Sequence, residues 1–265
     1  MTACTERAVF VQDSAADAPA KAESHDRLYF GSETCETLIP DSRRVSRLLE
    51  IGAERRRPIT VVTPACTNEG LARVERLVGL LPVGTEVVFN DWGVFGLLRS
   101  SECCPVLGRL LLRVSRGFRR AGMASFPPEV MSFLRHSNLD NREFQEFLLD
   151  NAVHRVELDN VAQGFSFRMD ATIRASLYVP FVYLASGRKC IHARLDGGTD
   201  PYRSETSCCW GCRKRVLWGR VWETDERILM SRNAHFYENA TLSPELEAWN
   251  VDRLVDCAIL GEPVC

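Results

Sequence analysis

The segment 58-PITVVTPACTNEGLARVERLVGLLPVGTEVVF-89 decides the fold class. Pro58 to Thr63 is a short apolar run rich in β-branched residues, the composition of a buried strand. Thr67 or Asn68 can then cap a helix with its side-chain oxygen. Leu71, Val74, Leu77, Val78 and Leu81 follow at the spacing of one helix face. Pro82-Val83-Gly84 breaks that helix, and Glu86 to Phe89 returns to a strand. Strand, helix and strand with short connections make a unit whose two strands run parallel.

The same alternation extends outward from this unit. On the N-terminal side, Leu28-Tyr29-Phe30 reads as a strand ending in Gly31. Asp41 can cap a helix to about Glu54, with Val45, Leu48 and Leu49 on one face. Ala8 to Val11 is a short strand within an Ala/Asp/Ser-rich N-terminal segment. On the C-terminal side, Pro105 to Val114 reads as a fourth strand. Pro127-Pro128 opens a short helix to His136, and Asp140 or Asn141 caps another that carries Phe144, Phe147 and Leu148. Val153 to Leu158 and Ser176 to Ala185 are extended, with Pro180 marking an edge or bend. Val216 to Trp222 and Ala234 to Tyr237 suggest a small hairpin. Ser243-Pro244-Glu245 starts a last helix, and Leu254 to Leu260 is a last strand. Seven or eight strands of this kind favour a barrel over an open sheet. The expected architecture is α/β: an incomplete or distorted (β/α) TIM-like barrel, a Cys-rich loop over 187–213, and a small C-terminal β extension. Residues 1–25 are expected to be a flexible segment and 26–265 a single domain.

The chain has 265 residues, of which 45% are hydrophobic and 26% charged, enough for one large packed domain. A net charge of −2 provides no global basic field, which argues against nucleic acid as a partner. No stretch approaches 18 uninterrupted apolar residues, so no membrane span is expected. The first twenty residues contain no apolar run of signal-peptide length. Together with eleven cysteines, an odd number, this predicts a reducing, cytoplasmic setting. There, clustered cysteines point to metal or cluster chemistry before disulfides.

The tightest cluster is Cys208-Cys209-Trp210-Gly211-Cys212, in a Cys/Gly/Arg-rich loop with little periodicity; Cys190 lies upstream, after Arg188 and Lys189. Close spacing brings thiolates to one metal or cluster, and loop N–H groups are free to bond sulfur. A fourth ligand must come from elsewhere. Cys35 follows the Leu28–Phe30 strand by a few residues, on the rim where loops after other parallel strands also open. Four thiolates suit zinc or an iron–sulfur cluster. One tight pair plus two isolated cysteines departs from the paired knuckles of a zinc ribbon, which favours a [4Fe–4S] cluster over zinc. Either Cys208 or Cys209 fits the spacing. Cys66, Cys103, Cys104 and Cys257 lie at strand ends or in apolar runs, where buried free cysteine is common.

These segments resemble a known family. Arg27 to Gly31 with Cys35 behind it is similar to the opening of peptidase family U32, the collagenase-like family. Thr60 to Leu98, with Asn90-Asp91-Trp92-Gly93, resembles the family's second and third barrel units. Phe147 to Asp159 resembles a later strand segment, and Arg188-Lys189-Cys190 with Cys208 and Cys212 its cysteine loop. The resemblance runs from about Arg27 to Arg213 and is nearest the UbiV-like iron–sulfur branch, which serves oxygen-independent ubiquinone synthesis. It implies a [4Fe–4S] cluster on Cys35, Cys190, Cys208 and Cys212, with Cys208 preferred to Cys209. It also implies oxygen-independent hydroxylation of an aromatic or quinone-like metabolite, with prephenate as a candidate oxygen donor, and a heterodimer with a paralogous chain. The alternatives are a non-catalytic iron–sulfur scaffold or electron-transfer subunit, and RNA base hydroxylation. RNA base hydroxylation is the less expected of these, because the 265 residues show no segment that resembles the appended domains of RNA-modifying members. Protease chemistry is not expected: there is no H-E-x-x-H and no G-x-S-x-G.

Further side chains are candidates for chemistry at the rim. Asp91 follows the EVVF strand, and Glu157 and Asp159 lie at the end of HRVEL, where carboxylates can bind substrate or move protons. Arg113, with Arg116, closes the fourth strand and can grip a carboxylate in a bidentate fork. Their structural alternatives are helix caps and salt bridges. Asp91, Arg113, Glu157 and Cys35 are expected to face one cavity that the cysteine loop covers.

Overall fold

The computed structural model describes residues 6–11, 18–116, 123, 125–188, 190–195, 208, 210–213, 215–220 and 227–257. Eight parallel strands close a barrel: β1 (Glu6–Phe10), β2 (Arg27–Gly31), β3 (Ile59–Val62), β4 (Glu86–Phe89), β5 (Cys104–Leu107), β6 (Arg155–Asp159), β7 (Arg174–Val179) and β12 (Val251–Asp256). Closure comes from pairing β1 with β12 on one side and β2 on the other. The strand set is thus complete, a TIM-like α/β barrel of the class that the strand–helix alternation led one to expect. The segment expected to be flexible supplies β1 and helix α1 (Ala18–Ser24), so the barrel begins at Glu6. The helical layer is what falls short, since residues 160–173, between β6 and β7, contain no helix. The weakest seam is β5 to β6, held in register at the single pair Leu107 and Val156.

Helices α2 (Ser42–Arg55), α3 (Asn68–Val78), α4 (Trp92–Leu98), α5 (Pro128–Leu134) and α6 (Arg142–Asp150) pack outside. Asp41, Thr67 and Asn141 cap α2, α3 and α6 by accepting the N–H groups of Arg44, Gly70 and Phe144, each cap contributing about 1 kcal/mol. Strand alternation separates two cores. Leu28, Phe30, Ile59, Val61, Val87 and Phe89 face the helices, while Tyr29, Val62 and Val88 face the lumen. Full burial of each aliphatic side chain stabilises the fold by roughly 1.5–3 kcal/mol.

The segment read as one strand, Ser176 to Ala185, divides at Pro180. Its first half is β7, and its second is β8 (Phe181–Ser186), which opens a second sheet. That sheet is antiparallel, in the order β8, β11 (Ala234–Glu238), β10 (Arg227–Ser231), β9 (Leu217–Arg220). It is an insertion between β7 and β12, not a C-terminal extension, because the chain returns to the barrel through β12. The expected last helix is a turn and a short 3-10 segment, Glu247–Trp249. Phe181, Leu229, Ala234 and Phe236 of the second sheet pack on Phe10, Tyr178, Val255 and Cys257. The sheet therefore sits over the barrel's C-terminal mouth. Asn160 and Asn239 fasten it by donating to each other's carbonyls at 2.8 and 2.7 Å. Among the described residues no helix is long and apolar enough to cross a membrane.

Candidate functional site

The loop after β2 is shaped by two local features. Gly31 has φ of +118°, and a Cβ there would stand 2.1 Å from the Val62 carbonyl oxygen, so only glycine fits. The chain then turns at Ser32, whose hydroxyl accepts from the N–H groups of Thr34 and Cys35 at 3.4 and 3.2 Å. This holds Cys35 at the C-terminal rim, ahead of a 3-10 turn over Glu36–Leu38. Asn233, in the turn between β10 and β11, donates from Nδ2 to Thr34 O and to Gly187 O, both at 2.6 Å. One side chain thereby joins the barrel loop, the end of β8 and the β10–β11 turn.

The other cysteines of the set gather around that turn. Cys190 precedes the short helix α7 (Ile191–Leu195), and its thiol donates to the Arg232 carbonyl at 3.4 Å. Cys212 lies in a 3-10 turn over Gly211–Arg213. Burial pushes its pKa up to about 12; Arg232 opposes this, and the neighbouring thiols Cys190, Cys35 and Cys208 add to it. Burial likewise raises the Cys35 thiol, with Arg232 acting against it. Cys35, Cys190 and Cys208 thus lie within electrostatic reach of Cys212, all four as free thiols. Trp210 ties the loop to α2, where Arg44 stands 5.6 Å from its ring centroid. Among the described residues no group of three or more His, Cys, Asp or Glu side chains is spaced to hold a metal ion. The four thiols are neighbours, not a closed ligand cage. Cys209 lies outside the described residues.

The C-terminal mouth itself is filled. Arg109, fully buried, lays a bidentate fork on Glu33 at 2.8 and 2.7 Å, and its third nitrogen donates to Asp159 at 2.7 Å and to Phe181 O at 3.0 Å. Arg116 holds the other Asp159 oxygen at 2.7 Å, and the Tyr183 N–H adds a bond at 2.9 Å. The Arg109 guanidinium lies 4.1 Å from the Tyr178 ring centroid, a cation–π contact. Burial alone would lower its pKa, but the Glu33 and Asp159 carboxylates outweigh that and raise it. Two arginines and two carboxylates from the loops after β2, β5 and β6 thus neutralise each other. The sequence reading named Arg116 and Asp159 but not Arg109 or Glu33. The available signal was Gly108-Arg109 at the end of β5, where rim residues of a barrel arise.

Asp91, Arg113 and Glu157 do not share a cavity. Asp91 caps α4, accepting from Gly93 N at 2.7 Å and from Cys66 N at 3.1 Å. Arg113 is exposed beyond a 3-10 turn, and its N–H donates to Asn138. Glu157 points into the lumen, where Tyr29 donates to its Oε1 at 3.0 Å and Arg253 donates to the Tyr29 hydroxyl at 2.9 Å. Its Oε2 has no hydrogen-bond partner among the described residues, and burial pushes its pKa up to about 7 against the pull of Arg253 and Arg155. Cys257, buried, donates to the Val179 carbonyl and is structural.

The opposite, N-terminal mouth is built differently. Glu86 takes a two-point grip from Arg253 at 2.7 and 3.0 Å and lies near Arg27 and Arg155. Burial alone would raise its pKa, but these arginines pull it down to about 2. Glu6 bridges Arg27 and Arg253, and Asp252 holds Arg155. Outside this network opens a cavity of about 690 Å³.

No family model matches the chain, and no curated protein sequence matches it. Among solved structures, that of the U32 peptidase Mk0906 is similar over 97% of this chain and 93% of that chain, at 12% identity and a TM-score of 0.45.

Proposed function

We propose that the chain is a U32-type iron–sulfur protein in which Cys35, Cys190, Cys208 and Cys212 hold a [4Fe–4S] cluster. It serves, as enzyme or enzyme subunit, the oxygen-independent hydroxylation of an aromatic or quinone-like metabolite in the cytoplasm. The observation that carries the reading is the shared neighbourhood of four free thiols drawn from three separate segments around the Arg232 turn. The donor set fits the group: soft thiolates select iron–sulfur clusters or zinc, and the surrounding loop backbone offers N–H groups to the sulfurs. A bound cluster supplies electron transfer or Lewis acidity at the rim. The protein's own contribution is to hold Cys35 on a glycine-pinned barrel loop and the other three on the inserted sheet's loops. Oxygen-independent hydroxylation, with prephenate as donor, rests on the family resemblance of the segments quoted above.

A second reading is favoured by the filled mouth: a non-catalytic iron–sulfur partner of a paralogous chain. Arg109, Glu33 and Asp159 occupy the rim position where a barrel enzyme ordinarily keeps its substrate cavity. RNA base hydroxylation is the weakest of the three, given the net charge of −2.

The deciding experiment is anaerobic purification of the full chain with iron, sulfide and zinc analysis. About four irons and four sulfides per chain support the reading. One zinc without sulfide, or no metal, contradicts it. Turnover by the single chain then selects the enzyme over the partner, while turnover only in a stable complex with a paralogue selects the partner.

A further inference from the structure

We propose that the N-terminal mouth of the barrel is a binding site for a phosphorylated small metabolite. The cavity there, about 690 Å³, is of the size that holds nucleotide-scale ligands. Its walls carry five arginines and a histidine against one carboxylate, Glu86. The deeper two, Arg27 and Arg155, are neutralised by Glu6, Glu86 and Asp252. The outer three are different. Arg56, Arg57 and Arg174 have no acidic partner among the described residues, and His154 stands exposed beside them. They come from separate elements: Arg56 and Arg57 follow α2, His154 precedes β6, and Arg174 opens β7.

These outer positions are held by backbone, not by salt bridges. Arg56 sits at the C-cap of α2 with φ of +53°, a left-handed conformation, and its N–H donates to the Ala53 and Gly52 carbonyls. Arg57 donates from Nε to the Ala22 carbonyl at 2.9 Å, which leaves both terminal nitrogens of its guanidinium for a ligand. Arg174 N donates to the His154 carbonyl at 2.8 Å, locking those two residues side by side.

The charge and shape select the ligand. A carboxylate has two oxygens and is satisfied by one guanidinium fork. Three uncompensated guanidiniums and an imidazole, brought to one cavity from separate elements, call for a group with three anionic oxygens and up to two charges, which is a phosphoryl group. The inner arginines are already paired with Glu6, Glu86 and Asp252, so the uncompensated charge that attracts the anion lies at the outer rim. The apolar stretch of the wall, Leu49, Ile59, Pro82 and Val83, offers a surface for the rest of the molecule.

The site is independent of the cysteines, so loss of iron and loss of anion binding are separate outcomes. The test is isothermal titration calorimetry of the full chain with inorganic pyrophosphate, ATP, citrate and a short single-stranded RNA. Pyrophosphate and ATP should bind, and Arg174→Ala and Arg56→Asn should each weaken them at least tenfold. Asparagine tolerates the left-handed position of residue 56. Arg47→Ala, on the exposed face of α2, should change nothing, and circular dichroism confirms that each variant is folded. The proposal is overturned if pyrophosphate and ATP do not bind, or if they bind unchanged to the Arg174 and Arg56 variants. Citrate binding as tightly as pyrophosphate overturns the phosphoryl assignment. RNA binding more tightly than ATP through the same arginines overturns the small-molecule assignment.

Discussion

The two mouths of the barrel are built from the same residue types in opposite ways. At the C-terminal mouth, Arg109 and Arg116 meet Glu33 and Asp159 in equal numbers, with Arg109, Glu33 and Asp159 buried under the second sheet. At the N-terminal mouth, the arginines outnumber the carboxylates and the cavity stays open. Equal and enclosed charge makes a plug; surplus and exposed charge makes a receptor. Loops after strand C-termini usually build the active site of such barrels. Here those loops are committed to the plug and to seating the sheet that carries the cysteine loop. The candidate thiols lie to the side of this plug, near the junction of the β2 loop and the β10–β11 turn.

The largest effect should come from breaking the plug. Arg109→Met leaves the buried Glu33 without its guanidinium and Asp159 with Arg116 alone, and removing one member of a buried pair costs about 3–5 kcal/mol. Urea denaturation measures this directly. A loss below about 1 kcal/mol would show that water reaches the mouth and that the plug is not closed.

The next effect lies between the mouths. Burial raises the Glu157 pKa from the ordinary 4.5 to about 7. A raised carboxyl pKa favours the native state while the group is neutral. Its contribution is complete below pH 4.5 and is lost as pH rises through about 7. Glu157→Gln should remove that slope, at most about 1.4 kcal/mol per pH unit. Paired denaturation curves from pH 4.5 to 7.5 test it. Parallel curves for the two proteins would mean that Glu157 is solvated.

How far the sequence announces this arrangement depends on the range of the interactions. Caps and periodicity are local, so Asp41, Thr67 and the apolar faces of α2 and α3 were legible. The closed barrel was legible as a class because the strand–helix alternation repeats. The expected fourth strand ran from Pro105 to Val114, yet the strand ends at Leu107. Gly108 turns the chain there, and a Cβ at that position would lie 2.1 Å from the Asn90 side-chain oxygen. That turn sends Arg109 into the mouth and leaves Arg113 outside, a distinction set by a residue in another loop. The same holds for the second sheet. Nothing local to Ser176–Ala185 shows that the residues after Pro180 leave the barrel while β12 returns to complete it. The cysteine set was legible as types and spacing. Its meeting point at the Arg232–Asn233 turn depends on the insertion and was not.

Asp91 separates capping from catalysis at the rim. Asp91→Ala removes a cap that also accepts from Cys66 N, and should cost about 1 kcal/mol. Asp91→Asn, which still accepts, should recover most of it. Equal loss in both variants would show that the carboxylate charge, not the cap, matters there. The smallest effect belongs to the open mouth. Arg174→Ala should shift stability by no more than about 0.5 kcal/mol, because the side chain is exposed and unpaired among the described residues. A larger loss would show that the N-terminal arginines also hold the barrel together, and the contrast between the mouths would shrink.

Cys35 is the one cysteine of the set that the barrel itself supplies; the other three ride on the insertion. The account requires these two parts to complete one site. Iron per chain in anaerobically isolated Cys35→Ala, measured beside the wild type, tests that requirement most directly. About four irons in the wild type and well under half that number in the variant is the predicted result. Full iron retained in Cys35→Ala, or no iron in either protein, would contradict it.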